Sequence, residues 1–126
     1  MARILVIDDD LMLGELIRRV LTFDHHQVIT AASGVEGLSK YQSMRPDLVI
    51  TDIIMPDKDG IEAIIEIRRL SSLVPVIAMS AGGRVNSPDF LKIALALGAT
   101  AVLTKPFTPS GLQAIVKEWA GPRAAA

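Results

Sequence analysis

The chain has 126 residues, of which half are hydrophobic, 4% are aromatic and 21% are charged, with a formal net charge of −1 at pH 7. This length and composition suit one globular domain with a single aliphatic core. A charge so close to zero, without a run of lysine or arginine, argues against direct contact with nucleic acid. The absence of cysteine excludes disulfides, thiol catalysis and cysteine-based zinc sites. Neither a signal peptide nor an apolar run of roughly 20 residues is visible, so we expect a cytoplasmic protein without a membrane span.

Five apolar runs of strand length alternate with segments of helical periodicity. The predicted strands cover residues 4–7, 27–31, 48–51, 74–79 and 101–104, and the predicted helices cover residues 11–23, 34–44, 60–71, 88–97 and 109–119. Nearly continuous apolar strands are typical of a parallel sheet buried on both faces, with helices on both sides, which predicts an α/β fold. We expect one domain over residues 1–120. Residues 121–126 form a tail that is a natural end, a shortened linker or a cloning remnant.

Several predicted helices carry start and stop signals. Asp10 directly precedes the first helix and is placed as its N-cap. The other start signals are two capping boxes, Ser33 with Glu36 and Asp59 with Glu62, and two N-caps followed by proline, Ser87-Pro88 and Thr108-Pro109. Gly98 is expected to end the fourth helix. Arg68-Arg69 is interpreted as a charge pair facing the negative end of the third helix dipole, and His25-His26 as solvated.

Polar residues follow four of the predicted strands. Asp8 and Asp9 follow the first strand, Asp52 the third, Ser80 the fourth and Lys105 the fifth. Ligands of open parallel sheets bind outside the carboxyl ends of the strands, so these side chains should meet at one edge of the sheet. Three carboxylates brought together repel one another and must keep a proton or hold a cation. Because an oxygen-rich cluster without cysteine or histidine suits Mg²⁺, we predict a magnesium site there.

The same residues carry a resemblance to a known family. The motifs Asp8-Asp9, Asp52, Ser80 and Lys105-Pro106-Phe107 resemble the receiver domains of two-component response regulators, including the chemotaxis regulator. The resemblance spans about residues 3–119 and extends to Met55-Pro56, Asp59-Gly60 and Leu97-Gly98-Ala99. It implies a single doubly wound (βα)5 receiver domain, flavodoxin-like, with a parallel five-stranded sheet of order 2-1-3-4-5.

The resemblance also implies a role for each carboxylate. Asp52 is expected to be the phosphoacceptor, since a carboxylate can take a phosphoryl group as a mixed anhydride. Asp9 and Asp52 are expected to bind Mg²⁺ directly, and Asp8 largely through water. The backbone carbonyl of Ile54 is expected to be a further ligand.

Lys105 and Ser80 complete the implied site. Lys105 would supply positive charge to the phosphoryl group and pair with Asp52 beforehand, and the peptide bond between Lys105 and Pro106 is expected to be cis. The Ser80 hydroxyl is expected to donate to a phosphoryl oxygen and draw the following loop inward. The chain departs from the family at Val102, where an aromatic switch residue is usual. Switching must then work through the Ser80 loop and repacking of the fourth helix.

Three features bear on lifetime and output. Ile54 and Gly82 occupy positions that tune the phosphoryl lifetime in the family, and neither can orient a hydrolytic water, so we expect slow loss of the group. The loop 81–86 contains adjacent glycines and is expected to move. The fourth helix is apolar around more of its girth than a surface helix needs. Two interpretations stay open: a face for a partner or a homodimer, or Phe90 folded back over the domain.

The implied function is a phosphorylation-activated signalling switch, not an enzyme with a small-molecule product. A sensor histidine kinase or a histidine phosphotransfer protein would donate the phosphoryl group, and the new charge would change binding of a downstream target or output domain. A haloacid-dehalogenase-like phosphatase, suggested by Asp8-x-Asp10, leaves Asp52 unexplained. A flavodoxin-like flavin mononucleotide binder is disfavoured because three aspartates would repel its phosphate. A receiver excised from a longer regulator or hybrid kinase is a further alternative.

Overall fold

The computed structural model describes residues 1–53, 60–80 and 88–120, with the backbone alone for residues 88–91. Within these residues five strands alternate with five helices. The strands are β1 (Arg3–Ile7), β2 (Gln27–Ala31), β3 (Leu48–Asp52), β4 (Val76–Ser80) and β5 (Ala101–Thr104). The helices are α1 (Leu11–Phe23), α2 (Gly34–Met44), α3 (Gly60–Leu70), α4 (Pro88–Leu97) and α5 (Pro109–Trp119). No helix in this part of the chain is long and apolar enough to cross a membrane.

The predicted alternation of strands and helices is confirmed. The largest difference in bounds lies at the start of the fourth strand, which was expected at residue 74 and begins at Val76. Pro75 has no N–H to donate to a neighbouring strand, so regular pairing starts after it. Its carbonyl still accepts a hydrogen bond of 3.0 Å from the Val49 amide. The loop 81–86 and the tail 121–126 lie outside the described residues.

All five strands are parallel, in the order β2-β1-β3-β4-β5, which confirms the expected order. The register places Ile7 opposite Thr51, Asp52 opposite Met79 and Ser80 opposite Thr104. The carboxyl ends of the strands therefore share one edge of the sheet. We call this the carboxyl edge; it holds Asp8, Asp9, Asp52, Ser80 and Lys105. The opposite, amino edge holds Arg3, His26, Arg68, Val76, Gly98 and Thr100.

The core consists of two clusters, one on each face of the sheet. Successive strand residues point to opposite faces, so Leu5 joins one cluster and Val6 the other. Helices α2, α3 and α4 contribute buried side chains to the first cluster, and α1 and α5 to the second. Strands β3 and β4 are buried along their whole length. This confirms the prediction of parallel strands that are covered on both sides.

The helix boundaries follow from local hydrogen bonds. Asp10, Ser33 and Thr108 each accept a hydrogen bond from the backbone N–H three residues further on, as predicted for N-caps. Glu36 reaches back to the amide of Ala32, one residue before the cap, so this is a variant of the predicted capping box. The predicted caps at residues 59 and 87 lie outside the described residues. Gly98 has φ of +123° and ends α4, as expected.

Candidate functional site

The polar residues predicted to meet do meet at the carboxyl edge. Asp8 directly follows β1, Asp52 ends β3, Ser80 ends β4 and Lys105 directly follows β5. Asp8, Asp52 and Ser80 are only 2%, 8% and 3% exposed, whereas Asp9 lies exposed at the surface. Because β1 and β3 are neighbours in the sheet, the carboxylates that follow them lie side by side. The site thus combines buried polar groups with one open side.

Lys105 lies between the two buried carboxylates. Its Nζ is 3.1 Å from Asp8 Oδ2 and 3.5 Å from Asp52 Oδ2. The expected pairing with Asp52 is therefore present, but the closer partner is Asp8, which the sequence did not indicate. The other Asp8 oxygen, Oδ1, accepts a hydrogen bond of 2.9 Å from the Asp10 amide. The peptide bond between Lys105 and Pro106 is cis, as the family resemblance implied.

The electrostatics of these groups leave the site short of positive charge. Burial raises the pKa of Asp8 above its usual value despite the hydrogen bond from Asp10 and the attraction of Lys105. Burial likewise raises the pKa of Asp52, and the Lys105 ammonium only partly offsets it. Burial alone would lower the pKa of Lys105, but the attraction of Asp52 and Asp8 together raises it. Within the described residues, the Lys105 ammonium thus serves two buried carboxylates, which favours a further cation.

Three carboxylates are arranged to hold that cation. One oxygen from each of Asp8, Asp9 and Asp52 lies within 4.8 Å of the others. The donor set consists of oxygens alone, which suits a hard divalent cation that keeps part of its water shell. The exposed side of Asp9 leaves the cluster open to solvent. The residues present therefore fit a metal ion; the expected ligand carbonyl of Ile54 lies outside the described residues.

The main chain at Asp52 is held from two sides. The Thr51 hydroxyl donates to the Asp52 carbonyl at 3.0 Å. The Gly60 amide donates to the Ile53 carbonyl at 2.8 Å, which brings the start of α3 against the end of β3. A Cβ at Gly60 would overlap the Asp52 carbonyl oxygen and lie 2.7 Å from its carbon. The sequence analysis included Gly60 only as part of the family motif and gave Thr51 no role at the site. A threonine in a strand gives no sequence signal that its hydroxyl will bond to the main chain.

Two further predicted positions can be located. Asp10 is exposed, and its carboxylate caps α1 by accepting a hydrogen bond from the Leu13 amide, which is the structural role expected for it. Val102 lies half-buried in β5, opposite Ala78 of β4. Its aliphatic side chain has no polar tip, so an aromatic switch is absent at this position. Gly82 and Phe90 lie outside the part of the chain whose side chains are described.

Comparison with known proteins places these features in one family. Residues 4–117 match the family model described as the response regulator receiver domain. The alkaline phosphatase synthesis transcriptional regulatory protein PhoP of Bacillus subtilis is 35% identical over 116 residues, which are 91% of this chain and 47% of that protein. The chemotaxis protein CheY of Treponema pallidum is 39% identical over 107 residues, which are 82% of this chain and 72% of that protein. This chain thus spans less than half the length of the first of these relatives.

The fold agrees with the sequence comparison. The crystal structure of a CheY-like response regulator receiver domain protein from Methanospirillum hungatei superposes with a TM-score of 0.90 at 28% identity, covering 99% of this chain and 98% of that one. The family match extends from β1 into α5 and includes every residue of the candidate site. The chain therefore belongs to the response regulator receiver domain family of two-component systems.

Proposed function

We propose that this domain is a phosphorylation-activated switch in which Asp52 accepts a phosphoryl group from a sensor histidine kinase or a histidine phosphotransfer protein. The observation that carries the proposal is the position of Asp52: a buried carboxylate at the carboxyl edge, 3.5 Å from the Lys105 ammonium and within a cluster of three carboxylates. A domain of this kind is a signalling protein and not a metabolic enzyme. We propose a cytoplasmic location for it.

The transfer step follows from the chemistry of a carboxylate. An Asp52 oxygen attacks the phosphorus of a phosphohistidine, the P–N bond breaks, and its electron pair leaves with the imidazole nitrogen, which takes up a proton. The product is an acyl phosphate on Asp52, and attack by water later regenerates the carboxylate and releases inorganic phosphate. Asp52 must be ionised to attack, and Lys105 opposes the burial that raises its pKa. This gives Lys105 a function before as well as after transfer.

We propose that Asp8, Asp9 and Asp52 hold Mg²⁺, with the Ile54 carbonyl as a further ligand. When bound, the metal supplies positive charge next to the transferred phosphoryl group. Lys105 Nζ lies close enough to both buried carboxylates to turn from them to a phosphoryl oxygen. The Ser80 hydroxyl, at the end of the neighbouring strand β4, would donate to another phosphoryl oxygen. These residues position the group and neutralise its charge.

The output is a change in protein binding. The new charge at Asp52 would act on Ser80 and, through β4, on α4, without an aromatic side chain at Val102. Ile93 and Leu95 on α4 are 44% and 50% exposed, and we propose this face as the contact for a downstream target, an output domain or a second copy. The earlier alternative, in which Phe90 covers this face, concerns a side chain outside the described set. The net charge of −1 gives no support to direct nucleic-acid binding by this domain.

Phosphorylation by acetyl phosphate, followed by intact mass spectrometry, tests the proposal. We expect the wild-type protein to gain one phosphoryl group with Mg²⁺ and none with a chelator. Asp52→Asn should gain none, whereas Asp47→Asn, at an exposed aspartate near the amino edge, should behave as wild type. Formation of the adduct in Asp52→Asn would contradict the proposal. Failure of the wild-type protein to form it in the presence of Mg²⁺ would contradict it as well.

The same experiment measures the lifetime of the adduct. Ile54 and Gly82 carry no polar side chain that could orient a water for hydrolysis. We therefore expect the phosphoryl group to persist much longer than seconds after the donor is removed. Loss within seconds from the isolated protein would mean that another group activates the water.

A further inference from the structure

Arg68, in the last turn of α3, joins three segments of the chain at the amino edge. Its Nε donates to the Gly98 carbonyl at 2.8 Å, and its Nη1 donates to the Val74 carbonyl at 2.6 Å. Its Nη2 donates to the Thr100 hydroxyl at 3.2 Å. The acceptors lie before β4 and between α4 and β5, and all of them are neutral oxygens. The planar guanidinium can satisfy several acceptors in fixed directions, which an ammonium cannot.

The segment that receives these hydrogen bonds is itself tied to the sheet. The Thr100 amide donates to the Val76 carbonyl at 2.7 Å, and the Val76 amide donates to the Thr100 hydroxyl at 3.0 Å. The Ala99 amide donates back to the Ala94 carbonyl at 2.9 Å. The connection that follows α4 is therefore bonded to β4 through Thr100 and to α3 through Arg68.

Gly98 makes the approach of Arg68 possible. Its φ of +123° is a conformation that other residues rarely adopt. A Cβ at this position would lie 2.6 Å from Cγ of Arg68, so the arginine stem occupies the space that a side chain would need. We use the name amino-edge joint for the contacts of Arg68 with Val74, Gly98 and Thr100.

Most of the α4 side chains between residues 92 and 96 face solvent. Lys92, Ile93, Leu95 and Ala96 are exposed, and Ala94 is buried against the core. Helix α4 starts after β4, on the side of the carboxyl edge, and ends at the amino-edge joint. Its fixed end is therefore the end farther from Asp52.

We propose that Arg68 makes the amino-edge joint a pivot, so that α4 opens from the end nearer the candidate site and turns about Gly98. The pivot is a property of the folded chain, while its use in signalling rests on the proposed function. A signal from Asp52 that reaches the β4 end of α4 would then swing the helix without detaching it. This gives the domain a way to change its α4 face with valine at position 102.

Amide hydrogen exchange on the unphosphorylated protein tests the pivot. We expect protection in the wild type to increase along α4 towards Ala99 and Thr100. Arg68→Met keeps the aliphatic stem but loses every hydrogen bond, and should exchange at these two amides at least about tenfold faster than the control Arg69→Met, at an exposed arginine on the same turn. Arg68→Lys should lie between the two, because one ammonium cannot reach all the acceptors.

Two results would overturn the pivot. Equal exchange at Ala99 and Thr100 in Arg68→Met and Arg69→Met would show that Arg68 does not hold the joint. A uniform increase over the whole sheet, including the amides of Val6 and Ile50, would show that Arg68 contributes only to global stability. The expected result is an increase confined to α4 and the joint.

Repeating the exchange on the acetyl phosphate adduct separates the pivot from the proposed function. In the wild type the change on phosphorylation should be larger near Pro88 than at Thr100, and in Arg68→Met it should spread to Thr100. An adduct that changes exchange equally along α4 would overturn the pivot. If no adduct forms, the proposed function fails, and the comparison of unphosphorylated Arg68→Met with Arg69→Met still decides whether the joint exists.

Discussion

The two edges of the sheet both hold charged side chains, but they hold them in opposite ways. At the carboxyl edge, Asp8 and Asp52 are buried and share the Lys105 ammonium, and burial raises the pKa of both carboxylates. At the amino edge, Arg68 binds neutral oxygens of two other segments, and Arg3 binds the carbonyls at the end of α2.

This difference separates a fixed joint from a reactive site. An arginine that donates to several carbonyls has little to gain from a new partner, so its contacts at the amino edge are structural. Buried carboxylates without enough positive charge nearby are stabilised by an added cation, so the carboxyl edge is suited to bind one. Charged side chains therefore stabilise the amino edge, where arginines have acceptors, and cost stability at the carboxyl edge, where buried aspartates provide the chemistry.

The largest expected effect comes from breaking the packing behind Asp52. Gly60→Ala should lower the free energy of unfolding by at least about 3 kcal/mol, because the added Cβ would overlap the Asp52 carbonyl. The fraction of Gly60→Ala that still folds should also be phosphorylated less than the wild type. The matched control is Gly14→Ala in α1, where the nearest atom to an added Cβ is Thr30 Cγ2 at 4.0 Å. It should raise stability by about 1 kcal/mol, as alanine favours helix over glycine. Urea denaturation of both variants decides; similar values for the two would contradict this account.

Addition of Mg²⁺ should sharpen the comparison by supplying the missing charge at the carboxyl edge. At a hundredfold excess over its dissociation constant, a ligand bound only by the folded state adds about 2.7 kcal/mol to the free energy of unfolding. Asp9→Asn should reduce this gain, while Asp10→Asn should keep it, because asparagine is an equally good N-cap. Thermal unfolding with and without Mg²⁺ measures the difference. An unchanged gain in Asp9→Asn would remove Asp9 from the ligand set.

Removal of one carboxylate should stabilise the metal-free protein. The pKa of Asp52 is raised in the folded state, so its ionised form costs stability above that pKa, and the cost is absent below the ordinary value of 3.8. Asp52→Asn should therefore raise the free energy of unfolding at pH 7 by an amount on the order of 1 kcal/mol. The gain should shrink as the pH falls towards 4. Urea midpoints at both pH values provide the test, and a less stable variant at pH 7 would contradict it.

The smallest effect is expected from charging a residue at the amino edge. His26 Nδ1 accepts a hydrogen bond of 3.1 Å from the Ala2 amide, and burial lowers the pKa of His26. A histidine whose pKa is lowered by folding does not reduce the stability of the protein above its unfolded pKa of 6.5. As the pH falls below that value, the unfolded state takes up a proton first, so the free energy of unfolding decreases. The loss should be less than about 1 kcal/mol.

Replacement of the two neighbouring histidines separates this contribution. His26→Gln should remove the loss of stability that protonation of His26 in the unfolded state causes between pH 7 and 5. His25→Asn should keep it, because His25 is exposed and asparagine tolerates its φ of +70°. Equal pH dependence in both variants would assign the effect to another group.

The sequence was sufficient to predict the fold and the meeting of the site residues, since polar side chains at the ends of parallel strands must share an edge. It also located the caps at Asp10, Ser33 and Thr108. It did not show that Lys105 lies closer to Asp8 than to Asp52, because the reach of a long side chain depends on coordinates.

Other contacts had no signal in the sequence either. Arg68 was interpreted as a charge at a helix end, and its acceptor Gly98 lies 30 residues away in the chain. His26 was expected to be solvated, yet it is half-buried and bonded to Ala2. Contacts of this kind connect segments that carry no shared pattern, so only the folded structure reveals them.

The contact between Lys105 and Asp8 spans 97 residues of sequence. Closing so long a loop costs conformational entropy, which the contacts of the elements between the two residues must offset. During synthesis the site stays incomplete until β5 and Lys105 have left the ribosome. A chain that ends before Lys105 therefore lacks a part of the site that β1, β3 and β4 cannot replace.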